Sequence, residues 1–398
     1  MELRKRLLCL PASLSPLVLF LSATVPLAAA DPTLTEDSSC NCYLTNGNQS
    51  SYFTEHRFFD FRRLSQYAGV PDVIDDAASS PGADPTSAYF TSAEWTSFWM
   101  LGSWNNSHGD KRTDATVLMV NSPNNLYIEP SSSSSSNPAA QNQESETHLT
   151  LRTQRLATFQ TAAEMESAST SFRYLSLRMR ARTVGAAGAV TAMFTYRDGP
   201  TLAEVQESDL EIRTADPLGL IHYTNQPAYD EGTDEVVPDA TRNATMPDGK
   251  VWTEWATHRM DWTPGVTAWY VDDVEVARIA FQAPKDESNI ILNAWSDGGG
   301  WTGNMTRGEA AYLQVQWLEV VYNSTEEGEG RAKNRKRDGG EASGCRAVCS
   351  VDQTPQLGKP VMLWNNGAGR VSGAAGVVGW MPIGVVLVMV LVSTGLLG

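Results

Sequence analysis

Five consecutive residues, Glu207-Ser208-Asp209-Leu210-Glu211, carry three acids at alternate positions. In extended backbone successive side chains point to opposite faces, so Glu207, Asp209 and Glu211 share one face while Ser208 and Leu210 take the other. Three carboxylates in a row repel one another, which is costly as a purely structural device, above all in a groove with few counter-charges. Such crowding raises the pKa of at least one member, and a general acid needs that. The chemistry that suits the set is displacement at an acetal carbon: one carboxylate attacks while another delivers a proton to the departing oxygen. A double displacement of this kind wants its two carboxyl groups about 5–5.5 Å apart. Positions i and i+4 of a strand lie roughly 13 Å apart. Two glutamates close that gap by leaning together, whereas aspartate would be too short at the outer positions. A solvated acidic strand face is the competing reading of the bare pattern.

The elements that must position these acids read as short strands. The segment 174–182 alternates apolar and polar residues, the period of a sheet with one face buried. Segments 116–120, 148–152, 189–196, 209–214, 257–262, 266–271, 290–294 and 312–322 read likewise, with Gly and Pro between them. No long amphipathic helix competes. Many short strands at modest spacing predict an all-β sandwich or jelly roll with little helix. The serine-rich stretch 131–145 is low complexity and cannot bury apolar surface. It reads as a loop inserted within one domain.

Both ends carry expected targeting signals. A basic start, an apolar run to Leu27 and the small residues Ala28-Ala29-Ala30 predict a signal peptide over 1–30. Five sequons, at Asn48, Asn105, Asn243, Asn304 and Asn323, agree with export and glycosylation. Small residues near 366–374 followed by an apolar tail to Gly398 predict a glycosylphosphatidylinositol anchor signal. A single membrane-spanning helix is the rival. Without the signal peptide the chain keeps Cys40, Cys42, Cys345 and Cys349, which read as two disulfides in an oxidising compartment. Cys40 and Cys42 are too close to bond each other easily, so each is expected to pair with one of the distal two. A zinc site is the alternative. The resulting plan is a domain over 31–325, a charged loop over 326–344 that includes Arg335-Lys336-Arg337, a cysteine-bearing extension over 345–365 and an anchor signal over 366–398. The formal net charge of −16 argues against a nucleic-acid partner.

The order of several further segments is informative. Ser176-Leu177-Arg178-Met179-Arg180-Ala181-Arg182 precedes Met193-Phe194-Thr195-Tyr196, then the acidic triplet, then His222-Tyr223-Thr224-Asn225-Gln226-Pro227. Trp255 to Trp262, Asn293-Ala294-Trp295-Ser296-Asp297-Gly298-Gly299 and Trp301-Thr302-Gly303 follow. The whole stretch from Ala163-Glu164-Met165-Glu166 through Tyr322-Asn323 resembles glycoside hydrolase family 16, in its fungal secreted branch. The resemblance implies a concanavalin A-like jelly roll with a concave groove for polysaccharide. It implies Glu207 as nucleophile, Asp209 as the helper that tunes it and Glu211 as acid/base. Where many relatives carry His after the aromatic of the Trp255 segment, this chain has Ala256, with His258 two residues on. Asn225, Gln226, His258, Trp295 and Trp301 are candidate substrate contacts, with core packing or turn shaping as the plainer alternative for each.

The expected activity is endo-hydrolysis of β-1,3 or mixed-linkage β-1,3/1,4-glucan at the cell surface. A wall-remodelling transglycosylase and a non-catalytic β-glucan-binding lectin are the alternatives. No cofactor is expected. The clustered acids could attract calcium, yet no loop shows a recognisable spacing of oxygen ligands.

Overall fold

The computed structural model describes residues 33–47, 50–108, 114–131, 145–230, 235–326 and 345–365. The expected signal peptide, the anchor signal, Asn48, Arg335-Lys336-Arg337 and most of the serine-rich and charged loops lie outside them. Among the described residues, strands dominate and α-helix is confined to Ala93–Thr96.

Two sheets pack face to face. The front sheet runs, in hydrogen-bonded order, Thr241–Thr245, Leu220–Gln226, Gln206–Arg213, Val190–Arg197, Asn289–Trp295 and Gln160–Ser167. The chain turns the corner through Thr147–Arg155 into a back sheet of Ala310–Ser324, Phe172–Gly185, Ala256–Thr263, Val266–Val271 and Val274–Ile279. This is a jelly-roll sandwich, as the alternation predicts. The flanks of the serine-rich stretch, Leu126–Pro130 and Thr147–Arg155, pair antiparallel.

Alternation decides what fills the gap between sheets. From the acidic strand, Leu210 and Ile212 point inward to meet Leu177, Met179, Met260 and Trp262 from the back sheet. Burying each such side chain contributes about 1.5–3 kcal/mol. The same period that drives Leu210 into the core therefore turns Glu207, Asp209 and Glu211 outward.

The far side of the back sheet is covered as well. A small sheet of Thr33–Leu34, Val361–Asn365, Ala347–Ser350, Cys42–Leu44 and Tyr52–Phe53 joins the two ends of the described chain. Two disulfides, Cys40–Cys349 and Cys42–Cys345, hold it, so each early cysteine does pair with a distal one. Beneath it lies a buried ionic cluster. Asp352 accepts from Arg178 and, at 3.4 Å, from Arg259, while Arg259 also grips Asp261 at 2.7 and 2.8 Å.

Candidate active site

Register fixes which side chains share the outer face of the front sheet. Glu207 stands opposite Tyr196 on one side and Gln226 on the other. Asp209 stands between Phe194 and Thr224, and Glu211 between Ala192 and His222. One strand further, Asn289, Ile291, Asn293 and Trp295 extend those rows, and Glu164 and Glu166 follow beyond Asn293 and Ile291. This face is recessed: Asp209 is only 2% exposed and Glu164 7%, although both point away from the core. Its floor is an apolar strip of Val190, Ala192, Phe194 and Ile291, edged by Tyr196, Trp295 and Trp301. Aromatic and aliphatic faces framed by carboxyls and amides suit a sugar chain, whose rings are apolar above and below and hydroxylated at the rim.

The three acids are not equivalent. Glu207 and Glu211 are half-buried, whereas Asp209 between them is sealed. Burial, reinforced by the charges of Glu207 and Glu211, pushes the Asp209 carboxyl well above its usual range. That favours the protonated form of Asp209, which is hydrogen-bonded to Glu207. The Gln226 amide nitrogen donates to Asp209 Oδ2 at 3.3 Å, while its oxygen accepts from the Ala228 backbone at 2.8 Å.

Glu211 is held from the other wall. Trp301 Nε1 donates to Glu211 Oε1 at 3.1 Å. The indole itself is clamped, with the Arg213 guanidinium 4.6 Å above it and the His222 ring edge-on at 5.1 Å. His222 in turn contacts Asp216 at 2.6 Å and Asn243 at 2.9 Å through its two nitrogens. The loop that presents Trp301 is built on Gly298, whose φ of +71° is left-handed and whose missing side chain would collide with Thr116. Asp297 Oδ1 caps the same loop, accepting from the Gly299 backbone and the Thr302 hydroxyl. Replacing Trp301 by Phe keeps the ring and removes the donor. A hydrogen bond to a charged group contributes about 1.5–3 kcal/mol, so kcat/KM is expected to fall roughly ten- to a hundredfold. An unchanged kcat/KM would leave Trp301 as packing only.

Gln226, Trp295 and Trp301 lie on this face with the triplet. Asn225 and His258 do not. Asn225, next to Gln226 on the same strand, necessarily points the opposite way. It is fully buried between the sheets, where it accepts from Ser208 at 2.7 Å and donates to the carbonyls of Ile279 and Phe281. His258 alternates with Thr257 and Arg259 and falls on the inward face beside Met260, 1% exposed with no partner at either ring nitrogen. Burial lowers its pKa to about 4 and keeps it neutral. Of the sequons, Asn243 and Asn304 are exposed while Asn105 and Asn323 are half-buried. Asn243, bonded to His222, sits on the same recessed face as the acids.

Two residues of the cleft escaped sequence reasoning, Trp104 and Glu164. Trp104 Nε1 donates to Glu164 Oε1 at 2.6 Å, and Asn293 donates to the same carboxyl. Burial still raises the Glu164 pKa to about 7 from an ordinary 4.5. The alternation of Ala163 and Met165 inward with Glu164 and Glu166 outward was the available signal. Glu164 binds its proton more tightly folded than unfolded, so it costs stability as pH rises from 4.5 to about 7. Glu164→Gln, which keeps an acceptor for Trp104, is expected to leave stability unchanged near pH 4. Above pH 7 it should add up to about 3 kcal/mol in chemical denaturation. An equal effect at both pH values would contradict that assignment.

Fold and site together define a class: a jelly roll whose recessed sheet carries two half-buried glutamates on either side of a buried aspartate. The glycosyl hydrolases family 16 profile matches residues 129–319, and that stretch is a family 16 domain. A β-glucanase of Paenibacillus polymyxa is 26% identical over 140 residues, which cover 34% of this chain and 54% of the relative. A xylanase/β-glucanase of Ruminococcus flavefaciens is 30% identical over 110 residues, 27% of this chain and 12% of that protein. The chain spans about half the length of the Paenibacillus relative. Among solved structures, a β-1,3-1,4-glucanase (lichenase) derived from a mouse hindgut metagenome is 16% identical, with a TM-score of 0.43 over 68% of this chain and 99% of that one. The laminarinase catalytic domain of Thermotoga maritima MSB8 is 15% identical, with a TM-score of 0.44 over 69% and 98%.

Proposed function

We propose that the protein is a retaining glycosidase that cuts β-glucan, with Glu207 as nucleophile and Glu211 as acid/base. The observation that carries this reading is the triplet itself: two half-buried glutamates on either side of a sealed aspartate whose pKa burial raises, on the recessed face of a family 16 domain. Glu207 attacks the anomeric carbon, and its C–O bond forms as the glycosidic C–O bond breaks. Glu211 gives its proton to the departing oxygen, then takes one from the acceptor that releases the sugar from Glu207. Asp209 donates to Glu207 while the latter is an anion, which fixes its orientation and moderates its basicity. Water as acceptor gives hydrolysis, and a sugar hydroxyl gives transfer.

The apolar floor and the Trp104, Trp295 and Trp301 rings suit a neutral backbone of glucose residues. The β-glucanase relatives support this substrate class. We place the protein outside the cell, glycosylated and tethered by a C-terminal lipid, on the strength of its end sequences, its sequons and its two disulfides. The test is incubation with laminarin, lichenan and chitin oligosaccharides, each with and without a labelled sugar acceptor. Shortened β-glucan products are expected, and label in the products would shift the assignment from hydrolase to transferase. Binding without cleavage of any of the three would overturn the enzymatic reading.

A further inference from the structure

Beyond the Glu207 end of the recessed face lies a cavity of about 450 Å³, lined by Thr170, Ser171, Tyr196, Arg197, Asp198, Glu287, Asn289 and Thr325. That volume falls within the roughly 300–1,000 Å³ typical of small-molecule clefts. Two of the lining residues belong to the row of the nucleophile: Tyr196 stands directly opposite Glu207, and Asn289 opposite Tyr196. Glu207 and Glu211 are spaced along one strand and must lie on either side of the bond they cleave. The main sugar chain therefore crosses the strands between them, and this cavity sits to the side of its path.

Its chemistry is that of a site for a neutral polyol. Arg197 donates to the Glu287 carbonyl at 3.2 Å and stands 3.6 Å from the Glu287 carboxylate. The Tyr196 hydroxyl donates to Asp198 at 3.1 Å, and Thr325 donates to the Ser171 carbonyl at 3.3 Å. Charges of both signs, several hydroxyls and the Tyr196 side chain thus line the one cavity. Asn289 supplies the independent pointer. Its amide nitrogen donates to Glu166 at 3.2 Å, but its oxygen has no partner although the residue is only 9% exposed. A buried acceptor left unmet costs about 1–3 kcal/mol, a cost that a ligand hydroxyl would remove.

We infer that this cavity is a branch pocket, which takes a sugar side residue attached to the main glucan chain beside the cleavage point. The inference rests on the glucanase reading and extends it: the enzyme tolerates, and gains affinity from, substitution on the Glu207 side.

The experiment compares kcat/KM on a linear β-1,3-glucan oligosaccharide with kcat/KM on the same backbone bearing one β-1,6-linked glucosyl branch. The wild-type protein should favour the branched substrate. Asn289→Leu removes the unmet acceptor, and Thr170→Trp plugs the exposed rim. Each should lower the branched-to-linear ratio by about tenfold, the worth of one hydrogen-bonded group. An unchanged ratio in both variants, or a wild type that rejects the branched substrate while cutting the linear one, would overturn the branch pocket and leave the glucanase reading standing. Failure to cut either substrate would overturn both.

Discussion

Glu207→Gln should lower kcat on β-glucan by at least about a thousandfold, roughly 4 kcal/mol of transition-state stabilisation, with KM little changed. Gln occupies the same space and keeps a hydrogen-bonding oxygen, but it cannot form the ester bond to the anomeric carbon. Because Glu207 is on the recessed face and not in the core, the variant should fold normally and still bind oligosaccharide. Asp209→Asn provides the informative contrast. Burial and the two neighbouring glutamates favour the protonated form of Asp209, whose donor function an amide can replace. The loss should then be smaller than for Glu207→Gln, and smaller than for Asp209→Ala. Equal losses in Asn and Ala variants would mean that Asp209 acts as an anion.

The second large effect lies far from the cleft. Asp352→Ala should destabilise the protein by about 3–5 kcal/mol, the usual result of deleting one partner from a buried ion pair. Asp352 comes from the cysteine-bearing extension, its side chain only 3% exposed, and it meets Arg178 and Arg259 on the outer face of the back sheet. It also accepts from the Asn46 backbone at 2.8 Å, tying the first segment of the described chain to the last. Without it, two guanidinium groups share the neighbouring acids Asp261 and Glu319, the latter 3.9 Å from Arg178. Chemical denaturation with both disulfides intact measures the change. A difference below about 1 kcal/mol, the level of a surface pair, would show that the cluster is solvated and the small sheet loosely seated.

The fold and the acidic triplet were legible because both depend on a period of two. Leu210 inward and Glu211 outward is one statement seen from two sides, and the same rule exposes where single residues misled. Asn225 and Gln226 are adjacent, so only one could face the substrate, and the register with Glu207 selects Gln226. His258 shares its parity with the buried Ala256, Met260 and Trp262, which already implied a core position. Glu164 was less visible. Its strand, Gln160–Ser167, has buried positions on both faces and, apart from Thr161, contains no β-branched residue. Trp104 lies outside any regular strand, so its approach to Glu164 from 60 positions away is a fact of tertiary structure alone. Strands such as Leu220–Gln226 and Val274–Ile279 were also not assigned, since each is short and carries polar or charged residues. Pairing with neighbours defines them, and intrinsic preference contributes little.

The most direct measurement traps the covalent intermediate. An activated 2-deoxy-2-fluoro β-glucan oligosaccharide slows release of the sugar from the enzyme, and proteolysis with mass spectrometry then locates the adduct. The account predicts one sugar per chain, on the peptide containing residues 207–211, with fragmentation assigning it to Glu207. An adduct on Glu211, or cleavage with no adduct and an inverted anomeric product, would contradict it.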